Sequence, residues 1–274
     1  MRPATLSILA LAAISLAGRA LLAQDDDSQW LRHCERDGGR ADRQRACEIR
    51  HLGFKPSGTS LGFEPDENGG VDITGWDRDS VAVTARIQAD GADEDAAREL
   101  LRGVRVEVAG SAVRVAGPSR SRNASWSVEL VCLVPRRSGI EAATTNGPVS
   151  VDGVAGRIDV RATNGPLSLA RVSGDVRARA QNGPLTVVLA GSNWEGKGLD
   201  AETVNGPVDL ALPEHYNANL ETGTVNGPSD FQYPLTVTLH GRGRDRIHTT
   251  LGQGGAPLRV VTTNGPLTVR RAGS

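Results

Sequence analysis

The most regular feature of the chain is an alternation of apolar and polar positions that follows each copy of the motif Asn-Gly-Pro. An apolar residue stands five positions after each asparagine, and a hydroxyl or acidic residue stands four positions after it. Since side chains of a β-strand point alternately to opposite faces, this pattern predicts a short strand with one buried face. The motifs start at Asn146, Asn164, Asn182, Asn205, Asn226 and Asn264, and their glycines are Gly147, Gly165, Gly183, Gly206, Gly227 and Gly265.

The spacing of the motifs predicts how these strands are arranged. Successive asparagines are 18, 18, 23, 21 and 38 residues apart, and a nearly fixed period of this size is typical of stacked repeats. We therefore predict an all-β fold, a single-stranded, β-helix-like β-solenoid with coils of about 18–23 residues, which we expect to be right-handed. An antiparallel meander is the alternative, because Asn-Gly is also a strong hairpin signal.

The motif has a physical explanation as a corner. Glycine adopts a left-handed backbone freely and asparagine tolerates it, so we expect the chain to turn there in that conformation. Proline has no N–H to donate, so it belongs at a corner rather than inside a hydrogen-bonded ladder. Asparagines stacked at one corner can hydrogen-bond to each other along the axis. The sequence thus predicts a ladder of structural turn residues.

The region before the repeats predicts further strands and a single helix. One short α-helix is expected near residues 93–102, because Asp93 is a suitable N-cap and Gly103 a suitable end. Period-two alternation predicts strands at 80–87, 104–108, 113–116 and 126–134.

The N-terminus carries the pattern of an export signal. Arg2 precedes an uncharged apolar run from Leu6 to Ala17, and small residues follow up to Ala23. We interpret residues 1–23 as a signal peptide. A membrane anchor is the alternative, but the run is shorter than the roughly 20 residues that a spanning helix needs. We expect no transmembrane span after cleavage and a periplasmic, cell-surface or secreted protein.

The mature chain is then predicted to have two parts. Residues 24–64 form a charge-rich leader, and residues 65–274 form the solenoid domain, with the Asn-Gly-Pro repeats over 140–270. In an oxidising compartment we expect Cys34 and Cys47 of the leader to form a disulfide. A zinc site that adds His33 and His51 is the alternative, although its spacing fits no common zinc pattern.

Composition narrows the class of function. The formal net charge of −1 provides no basic footprint for nucleic acid. Aromatic residues make up only 3% of the chain and there are 33 glycines, which suits a thin aliphatic core with many tight turns. The sequence contains no His-Glu-x-x-His or phosphate-loop motif. We therefore expect a protein that is not an enzyme and holds no cofactor or metal.

Two acids form the one candidate for a surface site. Asp209 and Asp230 occupy the same column in successive repeats, so we expect their side chains to be neighbours on an outer face. Two adjacent carboxylates can bind calcium or act as an acid–base pair, which would make the protein a polysaccharide-cleaving β-helix enzyme. A solvated face is the simpler interpretation. Likewise Trp194, Tyr216 and Tyr233 could line a sugar groove, but core packing is simpler.

Several motifs together resemble a known family. Asn-Gly-Gly-Val-Asp-Ile-Thr-Gly-Trp-Asp at 68–77, Trp-Ser-Val-Glu-Leu at 126–130, Val-Pro at 134–135 and the Thr-Thr-Asn-Gly-Pro copies are similar to an exported bacterial domain. That family is the putative adhesin domain of unknown function with β-strand repeats, and its members usually carry Asn-Gly-Gly at the corner. The resemblance, over roughly residues 30–274, implies a β-solenoid, export and no known catalysis. We expect an adhesin or cell-envelope scaffold whose partner is a surface glycan or protein.

Overall fold

The chain folds into two large β-sheets, so the prediction of an all-β fold is confirmed. A computed structural model describes residues 26–36, 43–233 and 246–273, which form two ten-stranded sheets. The signal peptide predicted at residues 1–23 lies outside the described residues. No helix within these ranges is long and apolar enough to cross a membrane.

The strands of the two sheets, numbered in chain order, follow a fixed spatial order. Sheet A contains β1 (Gln44–Phe54), β4 (Val81–Gly91), β7 (Ser125–Pro135), β3 (Gly69–Trp76), β9 (Val149–Asp152), β11 (Leu167–Ala170), β13 (Leu185–Val188), β15 (Val208–Leu212), β20 (Leu267–Arg271) and β17 (Ser229–Phe231). Sheet B contains β18 (Arg246–Leu251), β16 (Ala218–Asn226), β19 (Pro257–Asn264), β14 (Gly198–Asn205), β12 (Ser173–Asn182), β10 (Ala155–Asn164), β8 (Gly139–Asn146), β2 (Ser60–Glu64), β6 (Ala112–Ala116) and β5 (Arg105–Ala109).

Each Asn-Gly-Pro repeat supplies one strand to each sheet. The strand in sheet B ends at the asparagine, Gly-Pro makes the corner, and the strand in sheet A starts after the proline. Neighbouring copies are parallel and in register, so that Asn164 of β10 is opposite Asn146 of β8 and Asn182 of β12. This pairing excludes an antiparallel meander for the repeats.

The prediction of a single-stranded solenoid is not confirmed, because every repeat contributes to two sheets and the repeats do not stack in chain order. The repeat made of β19 and β20 lies between the repeat of β14 and β15 and that of β16 and β17. The 38-residue step from Asn226 to Asn264 provides the chain for this return. Part of it is β18, which pairs antiparallel with β16 at the edge of sheet B. The hand of the coil stays a prediction.

The core lies between the two sheets and follows the predicted alternation. In the repeat of β10 and β11, Ile158 and Val160 face Leu167 and Leu169, and all four are fully buried. Burying an aliphatic side chain of this kind stabilises the folded state by about 1.5–3 kcal/mol. Because every repeat provides a similar set, the core runs through the whole stack.

The helices and the leader differ partly from the prediction. Helix α1 covers residues 26–36 and was not predicted, since the leader has no clear apolar period. Helix α2 (Glu94–Gly103) begins as predicted, with the Asp93 carboxylate accepting a hydrogen bond from the Ala96 N–H at 2.8 Å. The leader is also not a separate layer, because β1 pairs with β4 and β2 pairs with β8.

The cysteines lie where the sequence predicts. Cys34 of α1 and Cys47 of β1 form a disulfide, with their Cα atoms 6.4 Å apart. This bond excludes the alternative zinc site, because both sulfurs are used. Cys132 is completely buried on the inner face of β7. Burial raises the pKa of the Cys132 thiol, so it stays protonated.

Candidate functional site

The corner of the stack carries a continuous ladder of asparagine amides. Each Nδ2 donates to the Oδ1 of the neighbouring asparagine at 2.8–2.9 Å. The ladder also includes Asn68 of the Asn-Gly-Gly motif, and the order is Asn68, Asn146, Asn164, Asn182, Asn205, Asn264 and Asn226. These bonds fix the register of the repeats, and they give the corner a structural role.

The corner glycines are required by close packing and not by a left-handed backbone. A Cβ atom on Gly165 would lie 2.2 Å from the carbonyl oxygen of Gly147, and one on Gly183 would lie 2.1 Å from that of Gly165. Neither glycine has a φ in the left-handed region. The predicted left-handed turn at Asn-Gly is therefore wrong at every corner except that of Gly265, which has a φ of +154°. Glycine is needed because successive corners approach until backbone touches backbone.

The prolines occupy a ladder position that needs an acceptor only. The carbonyl of Pro166 accepts from the Val149 N–H at 2.9 Å, and that of Pro184 accepts from the Leu167 N–H at 2.9 Å. The absence of an N–H on proline therefore breaks no backbone hydrogen bond between repeats at this corner.

Buried threonines two positions before the asparagine complete the corner. Thr203 donates to the carbonyl of Gly183 at 2.9 Å, and it is completely buried. Thr262 and Thr224 do the same for the glycines of their neighbouring repeats, at 2.9 and 2.8 Å. Sequence reasoning missed this role, although the signal is present as a threonine at this position in four of the six copies.

The predicted pair Asp209 and Asp230 does not come together. Both residues pair in register with Thr268 of β20, which therefore separates them. The Nε of Arg270 donates to both carboxylate oxygens of Asp209 at 2.9 and 3.1 Å, and Gln232 donates to Asp230 at 2.7 Å. The expectation failed because it assumed that the repeats stack in chain order.

The candidate sugar-stacking aromatics pack inside the protein. Trp194, Tyr216 and Tyr233 are all buried. The Trp194 Nε1 donates to the carbonyl of Gly174 at 3.1 Å, and the Tyr233 hydroxyl donates to that of Pro213 at 2.7 Å. Within the described ranges, no group of three or more histidines, cysteines or acids is placed to hold a metal ion.

The outer face of sheet B carries a network of ion pairs. Asp200 is bound by Arg179 and, at 2.9 Å, by Arg259. Arg259 also contacts Glu202 at 2.9 Å. Burial raises the pKa of Asp200, but the hydrogen bonds and charges of the two arginines outweigh it, so the pKa lies below its usual value. The network ties three neighbouring strands together and leaves these charges already paired.

A cleft of about 770 Å³ opens on the same outer face. Arg137, Arg157 and Ser60 line it, together with Glu141 and Asp159. We call it the arginine cleft. No local pattern signals this cleft, because Ser60 and Arg157 are far apart in the chain and meet only through the pairing of β2 with β8 and of β8 with β10.

Comparison with known proteins agrees with the resemblance found in the sequence. No curated protein matches the chain. Among solved structures, it is similar to a putative cell adhesion protein from Clostridium sporogenes, with 11% identity, 83% of this chain and 100% of that chain covered, and a TM-score of 0.41. It is also similar to a putative adhesin from Bacteroides fragilis, with 12% identity, coverage of 82% and 97%, and a TM-score of 0.30. A putative adhesin from Parabacteroides distasonis has 8% identity, coverage of 81% and 97%, and a TM-score of 0.33.

Because these TM-scores are all below 0.5, the assignment depends on the sequence match. Residues 136–270 match the family described as Toastrack DUF4097, and this segment contains all six Asn-Gly-Pro copies. The predicted resemblance to a putative adhesin family of unknown function is thereby confirmed, because residues 136–270 carry a segment similar to the Toastrack DUF4097 family.

Proposed function

We propose that this protein is an exported, non-catalytic adhesin or cell-envelope binding scaffold. The observation that carries the proposal is the in-register stacking of the repeats. It holds equivalent outward side chains in straight columns, such as Ser150, Ser168 and Thr186 on sheet A. Neighbouring members of a column are about 4.8 Å apart, so the surface presents regularly spaced polar groups to a ligand.

The way the outer side chains are held supports a binding role. The asparagine ladder, the corner threonines and the ion pairs of sheet B fix the surface before any ligand arrives. A preorganised surface loses little conformational entropy on binding, which favours affinity. Thr268 lies between Asp209 and Asp230, and this separation argues against an acid–base pair made by the two carboxylates.

Export is supported by the disulfide of Cys34 and Cys47, since such bonds persist in oxidising compartments. The test is to express the full chain in a Gram-negative host and to measure the intact mass in each cell fraction. We expect a product in the periplasm or medium that begins after Ala23 and contains the oxidised pair. An uncleaved, reduced protein confined to the cytoplasm would contradict the proposal.

Binding is tested with residues 24–274 immobilised on a sensor and exposed to bacterial polysaccharides and envelope proteins. We expect saturable retention of at least one polymer or protein whose size is unchanged afterwards. The matched control is the same chain after reduction and heating, which unfolds the stacked repeats but leaves the amino-acid sequence unchanged. Retention equal to this control would refute the binding role, and shortened polysaccharide would refute the non-catalytic one.

A further inference from the structure

The arginine cleft has a floor made of small residues. Arg157 of β10 lies beside Gly139 of β8, whose other neighbour in sheet B is Ser60 of β2. In the next row, Gly62 is opposite both Glu141 and Ala112. Because glycine and alanine have little or no side chain, they project little from the outer face, and the larger side chains around them enclose a depression. A second cleft of about 400 Å³ shares Ser60 and Glu141 with the first, so the depression continues across β2 towards β6.

Two arginines line the cleft without an internal partner. Arg137 and Arg157 are exposed, and among the described residues neither guanidinium makes an ion pair or a hydrogen bond. Two other arginines on the same face are paired, Arg161 with Asp159 at 3.1 Å and Arg114 with Glu64 at 3.2 Å. A guanidinium binds a carboxylate or phosphate through two parallel hydrogen bonds. Two of them in one cleft therefore provide a site for an anion.

The acidic side of the cleft, two residues further along β8 and β10 than Gly139 and Arg157, selects what the anion is attached to. Glu141 and Asp159 lie side by side in register, and Ser60 adds a hydroxyl. Asp159 is already paired with Arg161, so Glu141 is the carboxylate that accepts hydrogen bonds from ligand hydroxyls, and both acids repel a second negative charge. A uronic acid carries one carboxylate and several hydroxyls on the same ring, so it suits both sides. A bare phosphate suits only the arginine side.

We propose that the arginine cleft binds uronic acid residues of an acidic polysaccharide, with Arg137 and Arg157 holding the sugar carboxylate and Glu141 accepting its hydroxyls. The continuation towards β6 gives a polymer room to extend beyond one residue. This proposal rests on the binding role proposed above and names the class of its ligand.

The experiment measures affinity for oligogalacturonate by isothermal titration with residues 24–274 at about 50 mM salt, where screening is weak. The probes are oligogalacturonate, its methyl ester, which keeps the hydroxyls but loses the charge, and inorganic phosphate. The double variant Arg137→Gln/Arg157→Gln removes the anion site. Arg102→Gln/Arg122→Gln is the matched control, since it removes the same charge from exposed residues that do not line the cleft.

We expect oligogalacturonate to bind at least about tenfold more tightly than its methyl ester, and the double variant to lose at least about tenfold, because charge-assisted hydrogen bonds are lost. The control variant should keep the affinity of the unmodified chain. Phosphate binding as tight as that of oligogalacturonate would overturn the assignment to uronic acids. Equal binding by the double variant and the control would overturn the site.

The two proposals fail in different ways. If the unmodified chain retains some other envelope polymer or protein but ignores oligogalacturonate, the ligand class is wrong and the adhesin role stands. If it retains nothing beyond its denatured control, the adhesin role fails as well. Circular dichroism of both double variants shows that a lost affinity does not come from a lost fold, since all four arginines are exposed.

Discussion

Replacing Gly165 by alanine tests the packing of the corner most directly. The new methyl group would lie 2.2 Å from the carbonyl oxygen and 2.6 Å from the carbonyl carbon of Gly147. Both atoms belong to the backbone of the neighbouring repeat, so no side chain can move aside. Comfortable contact needs about 3.5 Å, and the two repeats must therefore separate by about 1 Å at this point.

The magnitude follows from the bonds that this separation breaks. The Gly147 N–H donates to the carbonyl of Asn164 at 3.1 Å, and the Val149 N–H donates to that of Pro166 at 2.9 Å. The amide of Asn164 donates to Asn146 at 2.9 Å. At about 1 kcal/mol each, these three bonds amount to about 3 kcal/mol. The lower chain entropy of unfolded alanine returns about 0.4–1 kcal/mol, so we expect a net loss of about 2–3 kcal/mol.

The assay is urea denaturation followed by circular dichroism, with hydrogen exchange at Gly147 and Val149. Gly110→Ala is the matched control, because Gly110 has a φ of +64° and no atom within 4 Å of the added methyl. There only backbone strain acts, and we expect a loss of about 1 kcal/mol. Both amides at the corner should exchange faster in Gly165→Ala. A loss no larger than in Gly110→Ala, with unchanged exchange, would refute close packing as the reason for glycine.

Three further predictions concern the disulfide, a buried hydroxyl and a charged network. Replacing Cys34 and Cys47 by alanine should lower the free energy of unfolding by about 3 kcal/mol and leave the β signal in circular dichroism unchanged. Thr203→Val should cost about 1–2 kcal/mol in urea denaturation, because the carbonyl of Gly183 is left without its donor. Asp200→Asn should cost about 1 kcal/mol or less at neutral pH. Since the pKa of Asp200 is lowered by folding, this difference should persist above about pH 4 and disappear as the pH falls through the folded pKa.

Each of these predictions has a control within the chain. Cys132→Ala removes a cysteine but keeps the Cys34–Cys47 disulfide, so reducing agent should still lower its free energy of unfolding and should leave that of the Cys34/Cys47 double variant unchanged. Thr145→Val alters an exposed threonine and should be nearly neutral. Asp230→Asn removes a carboxylate whose hydrogen-bond donor is the neutral Gln232 and not an arginine, so it should cost less at neutral pH than Asp200→Asn. A result in which variant and control behave alike would contradict the corresponding interaction.

Local pattern predicted the strands well, because alternation depends only on which face of a strand meets the core. Val149 and Val151 could be assigned to the inner face, and Ser150 to the outer, without knowing the neighbouring strand. The same holds for Asp93, whose capping role depends on the next three residues of the chain. The disulfide could be predicted for a related reason, since only two cysteines lie in the polar leader.

Features that depend on which strand lies beside which could not be predicted in this way. Asp209 and Asp230 fall in one column, but nothing local reveals that β20 lies between their strands. The arginine cleft depends on the pairing of β2 with β8, which are separated in the chain by β3 to β7 and α2, and such a pairing leaves no local pattern. The role of glycine at the corner was also predicted wrongly, because the carbonyl that excludes a side chain there comes from another repeat.

The repeat formed by β19 and β20 lies between two repeats that precede it in the chain, and this order has a consequence for how the molecule folds. The chain emerges from its N-terminal end, so residues 218–231 exist before residues 257–271 do. Yet β16 and β17 rest on β19 and β20, which separate them from the earlier repeats. Elongation alone can therefore assemble the stack only as far as β15. The next segment can join the stack only after β19 and β20 have been made, and a molecule shortened before residue 257 would lack the strands that connect β16 and β17 to the earlier repeats.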